Sequence, residues 1–111
     1  MLNAEQVVQE QLEAYNNRDL ERFVTYYSPE ITLFDLPSGE LVVSGLEQLR
    51  KRYAVRFANP ALHCFIINRM VTGDFVIDSE EIVGILETGI YRVIVIYEVK
   101  EGLIDRIWMI R

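Results

Sequence analysis

Four β-favouring runs close this sequence, residues 62–71, 75–86, 91–100 and 103–109, with only a few residues between one and the next. Each is rich in Ile, Val, Phe and Tyr. Thr72-Gly73-Asp74, Glu87-Thr88-Gly89 and Glu101-Gly102 separate them as tight turns. Successive hairpins of this kind make an antiparallel meander. A meander must bury one face, and the apolar material available to cover it lies upstream in helical spacing. The order, helices before a long antiparallel sheet, predicts an α+β domain with its helices packed on one face of the sheet.

Upstream, Val7, Val8, Leu12 and Tyr15 form one stripe of a helix over residues 5–15, with Asn3 as its N-cap. Asn16-Asn17 suits a turn. Asp19 caps a second helix over residues 20–27, with Phe23, Val24 and Tyr27 inward and Pro29 closing it. Residues 31–36 read as a strand stopped by Pro37-Ser38-Gly39, and residues 41–43 as a short one. Ser44 and Glu47 have the spacing of a capping box. The helix it opens carries Leu46, Leu49, Tyr53 and Phe57 on one face, and Pro60 ends it. Three N-terminal helices cannot cover four long flat strands, so the sheet must be strongly bent. A bent sheet folded over helices is cone-shaped and encloses a pocket, a natural small-molecule site. With 111 residues and half of them hydrophobic, the chain is one domain, 1–111.

Charge narrows the partners. Seventeen acidic residues against 11 basic ones give −6 at neutral pH, which repels nucleic acid and an anionic membrane surface alike. Neutral or cationic small molecules, or another protein, are the easier partners. Cys64 is the single cysteine, so no disulfide forms within the chain. The opening Met1-Leu2-Asn3-Ala4-Glu5-Gln6 lacks the basic and apolar segments of a signal peptide. No apolar run approaches the roughly 20 residues that span a bilayer, and a reducing, cytoplasmic setting is expected. There is no glycine-rich phosphate loop, nucleophile elbow or H-E-x-x-H motif, so no cofactor is expected.

Among candidate chemical groups, Asp35 ranks highest. It stands between Phe34 and Leu36 before the Pro37 turn, and alternation makes both strand faces largely apolar. Desolvation there raises a carboxyl toward the range of a general base. The other reading is a turn cap accepting backbone N–H groups at Ser38 or Gly39. His63 is the lone histidine, a pocket hydrogen-bonder or a strand-surface residue. It alternates with Cys64, so the pair cannot hold one metal, and no metal site is expected. Asp78 and Glu80 share a strand face, read as a solvated strand end rather than a cation site, with Arg69 able to pair across the hairpin. Arg50, Lys51, Arg52 and Arg56 read as the wet face of the third helix. Tyr15, Tyr53, Phe57, His63 and Trp108 are the candidates to line the pocket. In the third long run Ile94 and Ile96 make the second face apolar as well, which fits self-association.

The stretch Leu12-Glu13-Ala14-Tyr15-Asn16-Asn17-Arg18-Asp19-Leu20-Glu21 resembles the opening of the nuclear transport factor 2-like superfamily, home of ketosteroid isomerases and SnoaL-like polyketide cyclases. Tyr26-Tyr27-Ser28-Pro29-Glu30-Ile31, the Asp35-to-Gly39 turn, Gly45-Leu46-Glu47-Gln48-Leu49 and the ending from Tyr97 to Trp108 resemble its later segments. The resemblance spans essentially the whole chain. It implies a cone-shaped α+β domain, a homodimer through the outer sheet face, and a pocket for a small apolar or cyclic molecule. It also implies proton-transfer chemistry of isomerase or cyclase type, with Asp35 at the position of the isomerase base. The isomerase's oxyanion donors, a Tyr and a protonated Asp, fall here at Gln11 and at or next to Val95, so both of the expected donors are absent. The alternative is a non-catalytic dimeric domain that binds a ligand or a protein.

Overall fold

Asn3 opens the first helix as the sequence predicts. Its side chain accepts the Gln6 amide while Gln6 reaches back to the Asn3 amide, a reciprocal cap at the start of α1 (Ala4–Asn16). The computed structural model describes residues 1–111. After a left-handed Arg18, Asp19 caps α2 (Leu20–Val24). This helix is shorter than its pattern predicts, because Tyr27 already belongs to a strand, β1 (Tyr27–Leu36). Pro29 does not close a helix. It lies exposed inside the irregular stretch between Tyr27 and Thr32, where β1 leaves its ladder and no N–H is needed.

A short strand, β2 (Leu41–Ser44), leads into α3 (Leu46–Phe57). The third helix therefore follows two strands rather than standing with the other two at the N-terminus. The Ser44–Glu47 box does not form. Gly45 takes the cap position at φ +89°, and the Ser44 amide donates instead to Gln48 Oε1. The meander follows as β3 (His63–Thr72), β4 (Phe75–Val83), β5 (Tyr91–Lys100) and β6 (Leu103–Ile110). Strand β4 stops three residues earlier than its apolar run. Gly84 turns the chain away at φ +89°, and a Cβ there would lie 2.7 Å from the Leu62 backbone. Only glycine allows that approach.

The six strands form one curved, unclosed sheet in the order β2-β1-β6-β5-β4-β3. It is not wholly antiparallel as the sequence predicts: β1 runs parallel to β6. Irregularities in register at Ile66/Asn68 and at Glu98/Val99 interrupt the ladders, and such bulges bend a sheet. The helices pack on the inner face, where Val76, Val93, Val95, Ile104 and Ile107 are buried. No helix is long and apolar enough to cross a membrane.

Candidate functional site

An aromatic cluster fills the space between helices and sheet. Phe23 is its centre, with ring centroids 4.9 Å from both Tyr27 and Tyr53 and 5.1 Å from Phe57. Tyr15 meets Phe57 edge-on at 5.3 Å. Toward β4 and β5 the packing loosens around a chamber of about 30 Å³, room for about one water molecule. Its lining is hydrophobic except for Gln11, Arg56 and Glu80.

Glu80 is the unexpected member. The sequence predicts a solvated strand end for Asp78 and Glu80; instead they sit mid-strand at 0% and 6% exposure. Alternation is the reason: Val76, Asp78, Glu80 and Ile82 occupy successive inward positions of β4 and are all buried. The two carboxylates are treated differently. Asp78 is held by Arg69 in a two-pronged pair, Nε to Oδ1 at 2.7 Å and Nη2 to Oδ2 at 2.9 Å. Gln9 Oε1 accepts a further Arg69 hydrogen. The expected cross-hairpin pair is thus present, but inside the protein.

Glu80 has no cation of its own. It ends a chain of hydrogen bonds that all point one way. Tyr27 donates to Gln11 Oε1 at 2.9 Å, Gln11 Nε2 donates to the Tyr97 hydroxyl at 3.4 Å, and Tyr97 donates to Glu80 Oε2 at 3.3 Å. Burial pushes the Glu80 carboxyl up to about 7, and the neighbouring Asp78 charge adds to the rise. Hydrogen bonds from Cys64 and Tyr97, and the more distant Arg69 charge, pull back the other way. Burial also drives the Cys64 thiol and the Tyr27 and Tyr97 hydroxyls upward, so all three stay protonated at neutral pH.

The residues singled out from the sequence divide between the two faces of the sheet. Tyr15 and Tyr53 line the chamber, and Phe57 packs behind them. His63 and Trp108 do not, because their strand neighbours Cys64, Ile107 and Met109 take the inward positions. His63 packs on Phe65 at 4.6 Å, and Trp108 stacks on Phe34 at 6.2 Å beneath the Arg106 guanidinium. Asp35 shares the Leu33 face of β1 but lies outside the chamber lining, with its side chain 28% exposed and paired to Arg111. Its backbone, not its side chain, closes the turn: the Gly39 amide donates to Asp35 O at 2.7 Å. The signal for Glu80 was its place between Val76 and Ile82 at alternate positions. No cluster of three or more His, Cys, Asp or Glu side chains offers a metal site.

Solved structures with the same fold include an uncharacterised cystatin-fold protein from Novosphingobium aromaticivorans, 22% identical, with a TM-score of 0.87 over all of both chains. An NTF2-like protein of unknown function from Cytophaga hutchinsonii is 14% identical, TM-score 0.81, over 98% of this chain and 89% of its own. A hypothetical protein with a ketosteroid isomerase-like fold from Catenulispora acidiphila, solved in complex with trimethylamine, is 17% identical, TM-score 0.74, over 97% and 85%. These likenesses establish the fold alone. No curated protein matches the sequence. The family model for the SnoaL-like domain matches residues 8–107. With that match over most of its length, the chain belongs to the SnoaL-like domain family, and it shares the fold of NTF2-like proteins.

Proposed function

We propose that the chamber takes part of a small molecule and that Glu80 moves a proton on it. The observation that carries this reading is one carboxyl, 6% exposed, lining the cavity and titrating near 7. Such a group is present in both forms at neutral pH, which suits a general acid or base. Chemistry of isomerase or cyclase type needs a base beside a carbon next to a carbonyl, and a donor where charge gathers on the oxygen. Tyr15 supplies a donor, since its hydroxyl is buried in the chamber wall with no hydrogen-bond partner. Asp35, committed to Arg111 at the surface, is the weaker candidate for the same role. A cavity of about 150 Å³ holds benzene, so a chamber of 30 Å³ accepts a methyl- or ethyl-sized group, not a whole ring.

Proton transfer can be read without knowing the substrate. In heavy water at pH 7, the protein should speed deuterium uptake at the α-carbons of 2-butanone above the buffer rate, followed by proton NMR. Glu80→Gln should lower that rate by about 100-fold or more, while Asp35→Asn leaves it unchanged. Exchange no faster than buffer, or equal in Glu80→Gln, overturns the assignment.

The outer face of the sheet supports a second reading, association of two copies. Register partners place Phe34, Trp108, Ile96, Ile77 and Met70 in one apolar row across five strands. Leu36, Ile110 and Ile94 extend it alongside, with Ile94 and Met70 40% and 63% exposed. A patch that broad on a monomer marks an interaction surface, and a two-fold pair covers it with itself. Sedimentation should give a dimer for the native chain and a folded monomer for Ile94→Glu; a monomeric native chain rejects this reading.

A further inference from the structure

We infer that the ligand of this chamber carries a carboxylate, held at the chamber mouth between the Arg56 guanidinium and the Tyr15 hydroxyl, with a short apolar end pointing inward. This rests on the reading of the chamber as a small-molecule site, not on Tyr15 as donor to a reacting carbonyl, and adds the chemical class of the ligand. The first observation is an unpaired cation. Eight of the 11 basic side chains lie in ion pairs with carboxylates. Arg56 is not among them, although acidic residues outnumber basic ones 17 to 11. Instead its guanidinium stands over the Tyr53 ring at 5.3 Å, half-buried on the chamber wall. A stacked guanidinium keeps its in-plane N–H groups free, and these are the donors that grip a carboxylate.

The second observation is independent of charge. Tyr15 is 6% exposed, lines the same cavity, and its hydroxyl has no partner. A buried hydroxyl left without a hydrogen bond is destabilising, and an anion at the mouth would remove that cost. Arg56 favours the ionised form of Tyr15 by its charge and by an approach to the hydroxyl that falls short of hydrogen-bond geometry, though burial outweighs both. The two donors therefore address one point. Glu80 lies on the sheet side of the wall, on β4, whereas Tyr15 and Arg56 stand on α1 and α3, and it repels a second carboxylate. The ligand is thus a monocarboxylate whose apolar end faces inward, and the 30 Å³ available fits the methyl or ethyl group of an acid of about two or three carbons.

The test compares propionate with 2-butanone, its uncharged counterpart of similar size, at pH 6, where Glu80 is mostly protonated. Binding is followed by amide chemical shifts of chamber residues. Propionate should bind about tenfold or more tightly than 2-butanone, as a charge-assisted hydrogen bond implies. Arg56→Gln, a half-exposed helix position that should fold normally, should erase that preference, read as the ratio of the two affinities. Tyr15→Phe should reduce it several-fold. Equal affinities in the native protein, or a preference that survives Arg56→Gln, overturn the carboxylate assignment. If 2-butanone binds or exchanges but propionate gains nothing, the small-molecule reading stands and this inference alone fails. If neither perturbs the chamber, both fail.

Discussion

Arg69→Met is expected to destabilise the fold by about 3–5 kcal/mol at pH 7, the usual cost of leaving one member of a buried ion pair alone. Asp78 is 0% exposed, and Arg69, with 14% of its side chain exposed, is the cation it pairs with. The substitution removes both prongs of that pair and the bond to Gln9 on α1, leaving a carboxylate among Val76, Val95 and Tyr97. Domains of this size are stable by roughly 5–15 kcal/mol in total, so the loss is a large share. The double variant Arg69→Met with Asp78→Leu should recover most of it, because an apolar pair of similar bulk is often neutral in place of a buried salt bridge. Urea unfolding of the three chains decides the matter. A single variant within about 1 kcal/mol of native would mean that Asp78 takes up a proton or reaches water at little cost.

The second large effect is a pH dependence, and its sign is opposite to that of an ordinary paired carboxylate. Glu80 titrates near 7 in the folded chain and near 4.5 when unfolded. Between those values the folded state binds the proton more tightly, so its stability falls as pH rises through that window. Below about 4.5 the group is protonated in both states and the effect vanishes. Above 7 it reaches its full size, roughly 3 kcal/mol. The groups around it are Cys64 and Arg69 on β3, Asp78 on β4, Tyr97 on β5, Tyr27 on β1 and Gln11 on α1. Glu80→Gln keeps an acceptor for Tyr97 and removes the titration. Its stability relative to native should rise from near zero at pH 4.5 to about 3 kcal/mol at pH 8.5. A flat difference across that range would place the Glu80 carboxyl in contact with water.

Much of the scaffold is legible in the sequence because local chemistry and global packing agree there. Asn3 with Gln6, the stripe through Val7 and Tyr15, and the glycine turns of the meander each point to one structure. Legibility fails where a tertiary partner decides. Tyr27 looks like a helix residue until Ile104 offers it a strand neighbour, and Ser44 has a cap's spacing but Gly45 has the conformation the entry requires. The same holds for the candidate site. Asp78 and Glu80 look wet because burying two carboxylates is costly; what makes it tolerable is Arg69 on one strand and a relay built from α1, β1 and β5. Arg69 is only one hairpin away, but the relay residues lie far from Glu80 or from one another along the chain. His63 and Trp108 have side chains suited to a pocket wall, but alternation turns both away from the chamber.

The parallel pairing of β1 with β6 has a consequence in time. Ser28 on β1 donates to Asp105 on β6 across 77 residues of chain, so the first strand to be synthesised waits for the last before its inner neighbour exists. Local hairpins among β3 to β6 can close quickly, yet the ladder that joins them to the N-terminal half is a long-range event. On the ribosome, β1 would emerge early with an open edge and an apolar face exposed. Its safety during that interval depends on the helices and on short β2, not on the sheet it finally joins.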